Sequence, residues 1–92
     1  MTGPHFHQTH LALVQRLRRA EGHLRNVIEM IEQRRDCLDL AQQLHAVERA
    51  ISAAKKTLIH DHIDNCLEHA VGSTPSASRV AMKEFREIAK YL

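Results

Sequence analysis

The fold of this chain is decided by residues 37–71, CLDLAQQLHAVERAISAAKKTLIHDHIDNCLEHAV. The stretch contains neither proline nor glycine, so nothing in it interrupts a helix. Its apolar residues recur in steps of three and four, at Leu40, Leu44, Val47, Ile51, Ala54 and Leu58. This spacing is typical of a coiled-coil seam. The pattern predicts one helix from Cys37 to about Val71. Asp36 is its expected N-cap and Gly72 its expected C-cap.

A first helix is predicted before this one, from Thr9 as N-cap to about Arg34. Its apolar positions are Val14, Leu17, Ala20, Leu24, Val27 and Ile31. Gly22 lies inside it, at a cost of about 1 kcal/mol relative to alanine, and would permit another backbone to approach closely. Residues 1–8 contain Gly3, Pro4 and alternating histidines, and are expected to form a flexible arm.

A third helix is predicted to run to the C-terminus, with Ser76 or Ser78 as its N-cap. Its apolar stripe consists of Ala81, Phe85, Ile88 and Leu92. No segment shows the alternation of a strand. We therefore expect an all-α fold, with residues 1–92 forming a single domain of three helices.

The length of the central helix predicts an oligomer. At 1.5 Å per residue it would extend about 50 Å. A compact domain of this size has a radius of gyration of only about 12 Å. The remaining 57 residues cannot cover such a helix. We expect an antiparallel dimer with the seam at the centre of a four-helix bundle.

Composition limits the compartment and the partners. No apolar run approaches the roughly 20 residues of a membrane helix, and the first residues do not resemble a secretory signal. We therefore expect a cytoplasmic protein with no membrane partner, in which two cysteines suggest metal or redox chemistry. Residues 1–35 contain six arginines and three acidic residues, a net charge of +3 that could contact a polyanion. A solvated helix face is the alternative reading of that charge.

The candidate metal ligands are Cys37, His62 and Cys66. His62 and Cys66 are four residues apart and would share one helical face. Cys37 is 25 residues before His62, or about 37 Å along the helix, so one chain cannot bring both to one ion. Across an antiparallel dimer they can meet. Two thiolates and one imidazole suit Cu(I) or Zn(II), and a fourth nitrogen would suit planar Ni(II).

Cysteine and histidine side chains also act in catalysis and in redox sensing. A nucleophilic Cys–His pair needs an oxyanion pocket and an orienting group, and a long-helix dimer without a glycine-rich loop offers neither, so we do not expect an enzyme. A thiol redox or persulfide sensor is a closer alternative, since Cys37 and Cys66 of different chains could oxidise together. A metal-buffering helical dimer without DNA binding is a third.

Three segments carry a resemblance to a known family: RLRRAEGHLRNVIEMIEQRRDC (16–37), QQLHAVERAI (42–51) and LIHDHIDNCL (58–67). Together they resemble the CsoR/RcnR family of bacterial metal-sensing repressors. The resemblance implies an antiparallel dimer core, usually assembled into a tetramer. It also implies a protein that binds operator DNA in the metal-free form and releases it when an effector binds.

The resemblance also implies which residues bind the metal. The family's four ligand positions hold His5, Cys37, His62 and Cys66 here, with His7 and His60 as accessory candidates. This His-Cys-His-Cys set is most similar to that of nickel-sensing members, so Ni(II) is favoured, with Cu(I) or Co(II) as alternatives. Copper sensors usually carry Tyr before the first Cys, where this chain has Asp36. Aldehyde-sensing members use an N-terminal Pro, whereas Pro4 is internal.

The resemblance places DNA contacts on basic side chains rather than on a recognition helix. Many members have Arg directly after the AV of the second helix, whereas Glu48 follows Val47 here. The operator surface is therefore expected to depend on Arg16, Arg18, Arg19, Arg25 and Arg49. Contacts to phosphates, together with DNA shape, would provide most of the binding.

Overall fold

The computed structural model describes residues 8–70 and 74–92, with their side chains from residue 10 to 65 and again from 74. Three helices form: α1 (Gln8–Glu32), α2 (Cys37–Ala70) and α3 (Pro75–Ala89). All regular structure in the described part of the chain is helical, which confirms the predicted all-α class. Helix α2 is the longest, as the uninterrupted pattern from Cys37 predicts.

Helix α1 begins earlier than the sequence suggests. Gln8 and Thr9 both lie inside the helix, so Thr9 is not its N-cap and the predicted arm does not extend to Gln8. Glutamine is a good helix former, and the breaking residues Gly3 and Pro4 lie further upstream. The rest of the predicted arm, residues 1–7, lies outside the described residues.

A Schellman turn ends α1. Arg34 has φ 60°, in the left-handed region that favours glycine. Its amide donates to the carbonyl of Ile31 at 3.0 Å, and the amide of Arg35 donates to the carbonyl of Met30 at 3.0 Å. These two bonds satisfy carbonyls that the end of the helix leaves without partners. The predicted break is therefore confirmed, with the last helical residue at Glu32 rather than Arg34.

Helix α2 is continuous over 34 residues. The carbonyl of Asp36 accepts a hydrogen bond from the amide of Leu40 at 3.0 Å, so Asp36 lies at the predicted N-cap position. At 1.5 Å per residue the helix is about 51 Å long. The predicted C-cap Gly72 lies outside the described residues.

Helix α1 and the first part of α2 belong to one compact unit, which ends at Ala54. His23 Nε2 on α1 lies 2.6 Å from Gln43 Oε1 on α2. Because the four-residue turn joins them at one end, the two helices run antiparallel. The buried side chains of this unit are seven residues apart on each helix: Leu13, Ala20, Val27, Val47 and Ala54. Val27 is completely inaccessible to solvent.

The predicted apolar seam of α2 divides into two lines of side chains. Val47 and Ala54 are buried and Leu40 is half-buried, and we call these three residues the inner line. Leu44, Ile51 and Leu58 are 44%, 46% and 40% exposed, and we call them the outer line. Helix α1 shows the same division, since four of its predicted apolar positions are exposed: Val14, Leu17, Leu24 and Ile31.

The second compact unit begins at Lys55 and contains the end of α2 and helix α3. The N-cap of α3 is Thr74, not Ser76 or Ser78 as predicted. Its Oγ1 accepts a hydrogen bond from the amide of Ala77 at 3.2 Å. Pro75 then occupies the first helical position, where its missing amide hydrogen costs nothing.

Helix α3 is less covered than the sequence suggests. Ala81, Phe85 and Ile88 are half-buried, and no residue of the helix is fully buried. The helix ends at Ala89, so the predicted stripe residue Leu92 lies beyond it and is 53% exposed.

Within the residues that the structure describes, no helix is both long enough and apolar enough to cross a membrane.

Candidate metal and nucleic-acid sites

Cys37 is the first residue of α2 and carries a free, exposed thiol. The Schellman turn and the Asp36 cap fix this position at the end of the α1–α2 pair. A salt bridge of 3.7 Å joins Arg35 to Asp39 on either side of it. Both members are about half exposed, so solvent screens the pair and it contributes little to stability. Cys37 is therefore accessible in the single chain.

His62 lies near the other end of α2 and is half-buried. Cys66 is one helical turn further along, and the backbone of α2 is helical through both residues, as predicted. The side chain of Cys66 lies outside the described residues, as do His5 and His7. The side-chain amide of Asn65, through Nδ2, donates a hydrogen bond of 2.8 Å to the backbone carbonyl of Asp61, one helical turn earlier.

Cys37 and His62 belong to different compact units of the chain. They are 25 residues apart on one continuous helix, or about 37 Å. Among the described residues, no group of three or more His, Cys, Asp or Glu side chains could hold a metal ion. The expected metal site therefore requires ligands that the described part of one chain does not assemble.

Cys37 lies on the outer line of α2. Leu44, Ile51 and Leu58 follow it at intervals of seven residues, and seven residues are close to two full turns of a helix. His62 is one turn beyond Leu58, on the same side of α2. The candidate ligands and the exposed apolar side chains thus share one helix face.

His60 is placed differently from His62. It is exposed, whereas His62 is half-buried. Residues two apart on a helix do not face each other, so the two imidazoles leave α2 on different sides. The single helix therefore does not direct His60 and His62 toward one ion.

All five arginines predicted to contact DNA are exposed, but the structure groups only some of them. Arg16 and Arg19 line one groove between α1 and α2. Arg18 lines a shallow depression on another side of α1, together with Val14, Leu17 and Glu21. Arg25 is seven residues after Arg18 and thus on the same side as Arg18. Arg49 is the one member of the set on α2.

The groove contains a basic residue that is not among the five predicted DNA contacts. His23 lines it beside Arg16 and Arg19, and Ala20, Ala50 and Ala53 complete the lining. The steps from 16 to 19 and from 19 to 23 are three and four residues, the spacing of one helix face. The spacing alone places His23 on the same face of α1 as Arg16 and Arg19. It does not show that α2 lies opposite this face and forms the other wall of the groove.

Comparison with known proteins agrees with this architecture. The family described as "Metal-sensitive transcriptional repressor" matches residues 9–91. The copper-sensing transcriptional repressor CsoR of Mycobacterium ulcerans is 37% identical over 60 residues, which are 65% of this chain and 51% of that protein. CsoR of Mycobacterium bovis BCG is 28% identical over 80 residues, 87% of this chain and 66% of that protein.

A solved structure is similar over the whole chain. The nickel-responsive transcriptional regulator InrS superposes with a TM-score of 0.79, at 26% identity, over 100% of both chains. The present chain spans about half to two thirds of the length of the curated relatives it matches. The chain belongs to the family of metal-sensitive transcriptional repressors. That membership confirms the resemblance stated from the sequence, and the family is one of transcriptional regulators rather than enzymes.

Proposed function

We propose that this chain is a metal-responsive repressor that binds operator DNA without metal and leaves it when a metal ion binds. The observation that carries the proposal is the placement of Cys37 and His62 on the exposed apolar face of one helix, in a chain that matches the repressor family over residues 9–91. The proposal treats residues 1–92 as one sensing and DNA-binding domain. As a repressor it would act in the bacterial cytoplasm, where the DNA is.

The large number of exposed apolar side chains, compared with the small buried core, supports a dimer. Six side chains form the buried core of the described residues, whereas fourteen large apolar side chains are exposed. An exposed apolar surface of this extent favours association. In the proposed dimer, the outer lines of two copies pack against each other in antiparallel fashion, and two dimers form the tetramer that the family resemblance implies.

The register of that dimer assembles the metal site. A two-fold axis at Ile51 places Leu44 opposite the second copy's Leu58, because both are seven residues from Ile51. The same axis places Cys37 opposite position 65, one residue before Cys66 and three after His62. Packing of the outer lines and assembly of the ligands thus follow from one register. Each dimer would hold two equivalent sites.

The favoured metal is Ni(II), bound by Cys37 of one copy and by His62 and Cys66 of the other, with His5 as the fourth ligand. Two thiolates and two imidazoles suit a planar Ni(II) site. The likeness to nickel-responsive InrS supports this choice. Co(II) is a further ion that the same set could bind.

Cu(I) is the second candidate. The curated relatives are copper-sensing repressors, and Cu(I) is satisfied by the two thiolates and one imidazole without His5. The two candidates are separated by the His5→Ala variant. Ni(II) should lose affinity strongly in this variant, while Cu(I) should lose little.

Release of DNA requires that the ion bind the DNA-free conformation more tightly than the DNA-bound one. A coupling of about 3 kcal/mol would weaken operator binding about 150-fold. The ligands bind metal as thiolates and neutral imidazoles, so protons compete with the ion and metal affinity should rise with pH near neutrality.

The decisive experiment is an anaerobic titration of Ni(II), and separately of Cu(I), into protein bound to fluorescent promoter DNA. Absorbance reports thiolate coordination and anisotropy reports release. Wild-type protein should show both changes together at one ion per chain. His62→Ala should keep DNA binding and lose release, whereas His45→Ala, an exposed histidine on the same helix, should behave as wild type.

The alternatives give different results in this assay. Metal binding without any DNA binding would identify a metal-buffering dimer. Release by persulfide or peroxide, but by neither ion, would identify a thiol sensor. Release by metal from a Cys37→Ala variant would show that the site is composed of other residues.

A further inference from the structure

The groove between α1 and α2 has the composition of an anion site. Its volume is about 290 Å³. Arg16, Arg19 and His23 project from one face of α1, and the alanines at 20, 50 and 53 leave space because each ends at Cβ. Guanidinium groups bind phosphate oxygens through paired N–H donors, and a phosphate is the anion that this fork fits well.

The hydrogen bond to Gln43 determines what the third basic side chain can do. His23 Nε2 lies 2.6 Å from Gln43 Oε1. An amide oxygen only accepts, so Nε2 carries the hydrogen and donates it. In the neutral ring, Nδ1 is then an acceptor and cannot bind a phosphate oxygen. When the ring takes up a proton, Nδ1 becomes a second donor and the ring becomes a cation.

The other groups of the groove do not compensate for this change. Arg16 and Arg19, from α1, remain charged at every physiological pH. Gln43 contacts the ring from α2, and the lining residues of α2 within the described chain are Ala50 and Ala53, which do not titrate. Among the side chains that line the groove, the His23 imidazole is the one of a type that ordinarily changes charge between pH 5 and 8.

From this arrangement we infer that the groove seats a backbone phosphate of operator DNA, with His23 as a proton-dependent ligand. The inference rests on the proposed function and adds a regulation to it. The operator is bound more tightly as the pH falls from 8 to 6, because protonated His23 adds a donor and a charge beside the phosphate. By linkage, DNA binding makes His23 take up its proton more readily.

The test uses metal-free, reduced full-length protein, so that the thiol ligands take no part. Anisotropy of a fluorescent promoter duplex is measured between pH 6 and 8 at constant ionic strength. Wild-type affinity should increase about three- to tenfold toward pH 6. This gain lies between the contribution of a solvent-screened surface ion pair and that of a charge-assisted hydrogen bond. His23→Gln should lose this increase, and glutamine at this position can still bond to Gln43.

The matched control is His45→Gln. His45 is exposed on α2 and lies 3.7 Å from Glu48, away from the groove lining. This variant should retain the wild-type pH dependence. An equal pH dependence in wild type and His23→Gln overturns the inference while leaving the repressor proposal intact. Absence of DNA binding in every variant at every pH overturns both.

A second measurement separates DNA from free phosphate. The ring signals of His23 are followed by NMR across the same pH range, first alone, then with duplex, then with inorganic phosphate at equal ionic strength. The duplex should move the His23 titration to higher pH and inorganic phosphate should not. An equal shift with phosphate alone would make the groove a free-anion site and overturn its assignment to DNA.

Discussion

The inner and outer lines of α2 look alike in sequence but differ in burial in the folded chain. Both consist of aliphatic side chains at intervals of seven residues. Val47 and Ala54 of the inner line are buried, whereas Leu44 and Ile51 of the outer line remain 44% and 46% exposed. The inner line is covered within the chain. The outer line is exposed in the single chain. In the proposed dimer a second copy covers it, beside the candidate ligands Cys37 and His62.

The largest expected effect comes from a charge at the centre of the outer line. Ile51→Asp would place two carboxylates at the two-fold axis, where burial and like charge both oppose association. We expect dimerisation to weaken by more than about 100-fold, which corresponds to about 2.7 kcal/mol. Sedimentation should show monomers, and metal-dependent release of DNA should be lost.

Leu38→Asp is the control for this variant. Leu38 is 65% exposed but lies off the outer line, one residue after Cys37. It should leave the oligomer unchanged, with circular dichroism confirming helix content in both variants. A dimer that tolerates Ile51→Asp would show that the outer line is not the interface.

The next largest effect is a loss of stability whose dependence on protein concentration differs between variants of the two lines. Val47→Ala removes buried methyl groups and should lower the free energy of unfolding by about 2 kcal/mol. This loss should be the same at every protein concentration. Leu44→Ala should instead lower the midpoint of urea unfolding mainly at high protein concentration, where association contributes to stability, because it weakens association. Identical behaviour of the two variants would contradict the distinction between the lines.

These two lines also show how far the sequence could be read. The steps of three and four residues predict the helix correctly from Cys37 onward, since no competing signal interrupts them. They do not show which line is covered, because that depends on where α1 lies. The same reason explains His23, whose partner Gln43 is 20 residues away along the chain.

The predicted helix starts are wrong where several residues could each serve as the N-cap. Thr74, Ser76 and Ser78 can each cap a helix, and the proline at 75 decides the choice by occupying the first helical position after Thr74. At the start of α1, Thr9 is a good capping residue, but Gln8 extends the helix past it. The proposed metal site takes ligands from two copies, so the described part of one chain places Cys37 and His62 without bringing them to one ion.

A smaller effect is expected at the turn between α1 and α2, which belongs to neither line. Arg34 adopts the left-handed conformation, which costs a residue with a side chain about 1 kcal/mol relative to glycine. Arg34→Gly should therefore stabilise the chain by about that amount in urea unfolding. It should not change association, so it serves as a reference for the two variants above. Gln33→Gly, at a position without positive φ, should destabilise instead.

The smallest effect concerns Gly22, on a side of α1 that faces neither line. A Cβ built on Gly22 meets no atom within 4 Å, so no described neighbour in the chain requires the glycine. Gly22→Ala should increase stability by up to about 1 kcal/mol, the difference in helix propensity, and the exposed Ala12→Gly should lose a similar amount. Thermal unfolding of both variants would measure this. A destabilised Gly22→Ala protein would mean that another chain packs closely on this side of α1, and would add a second interface to the one proposed at the outer line.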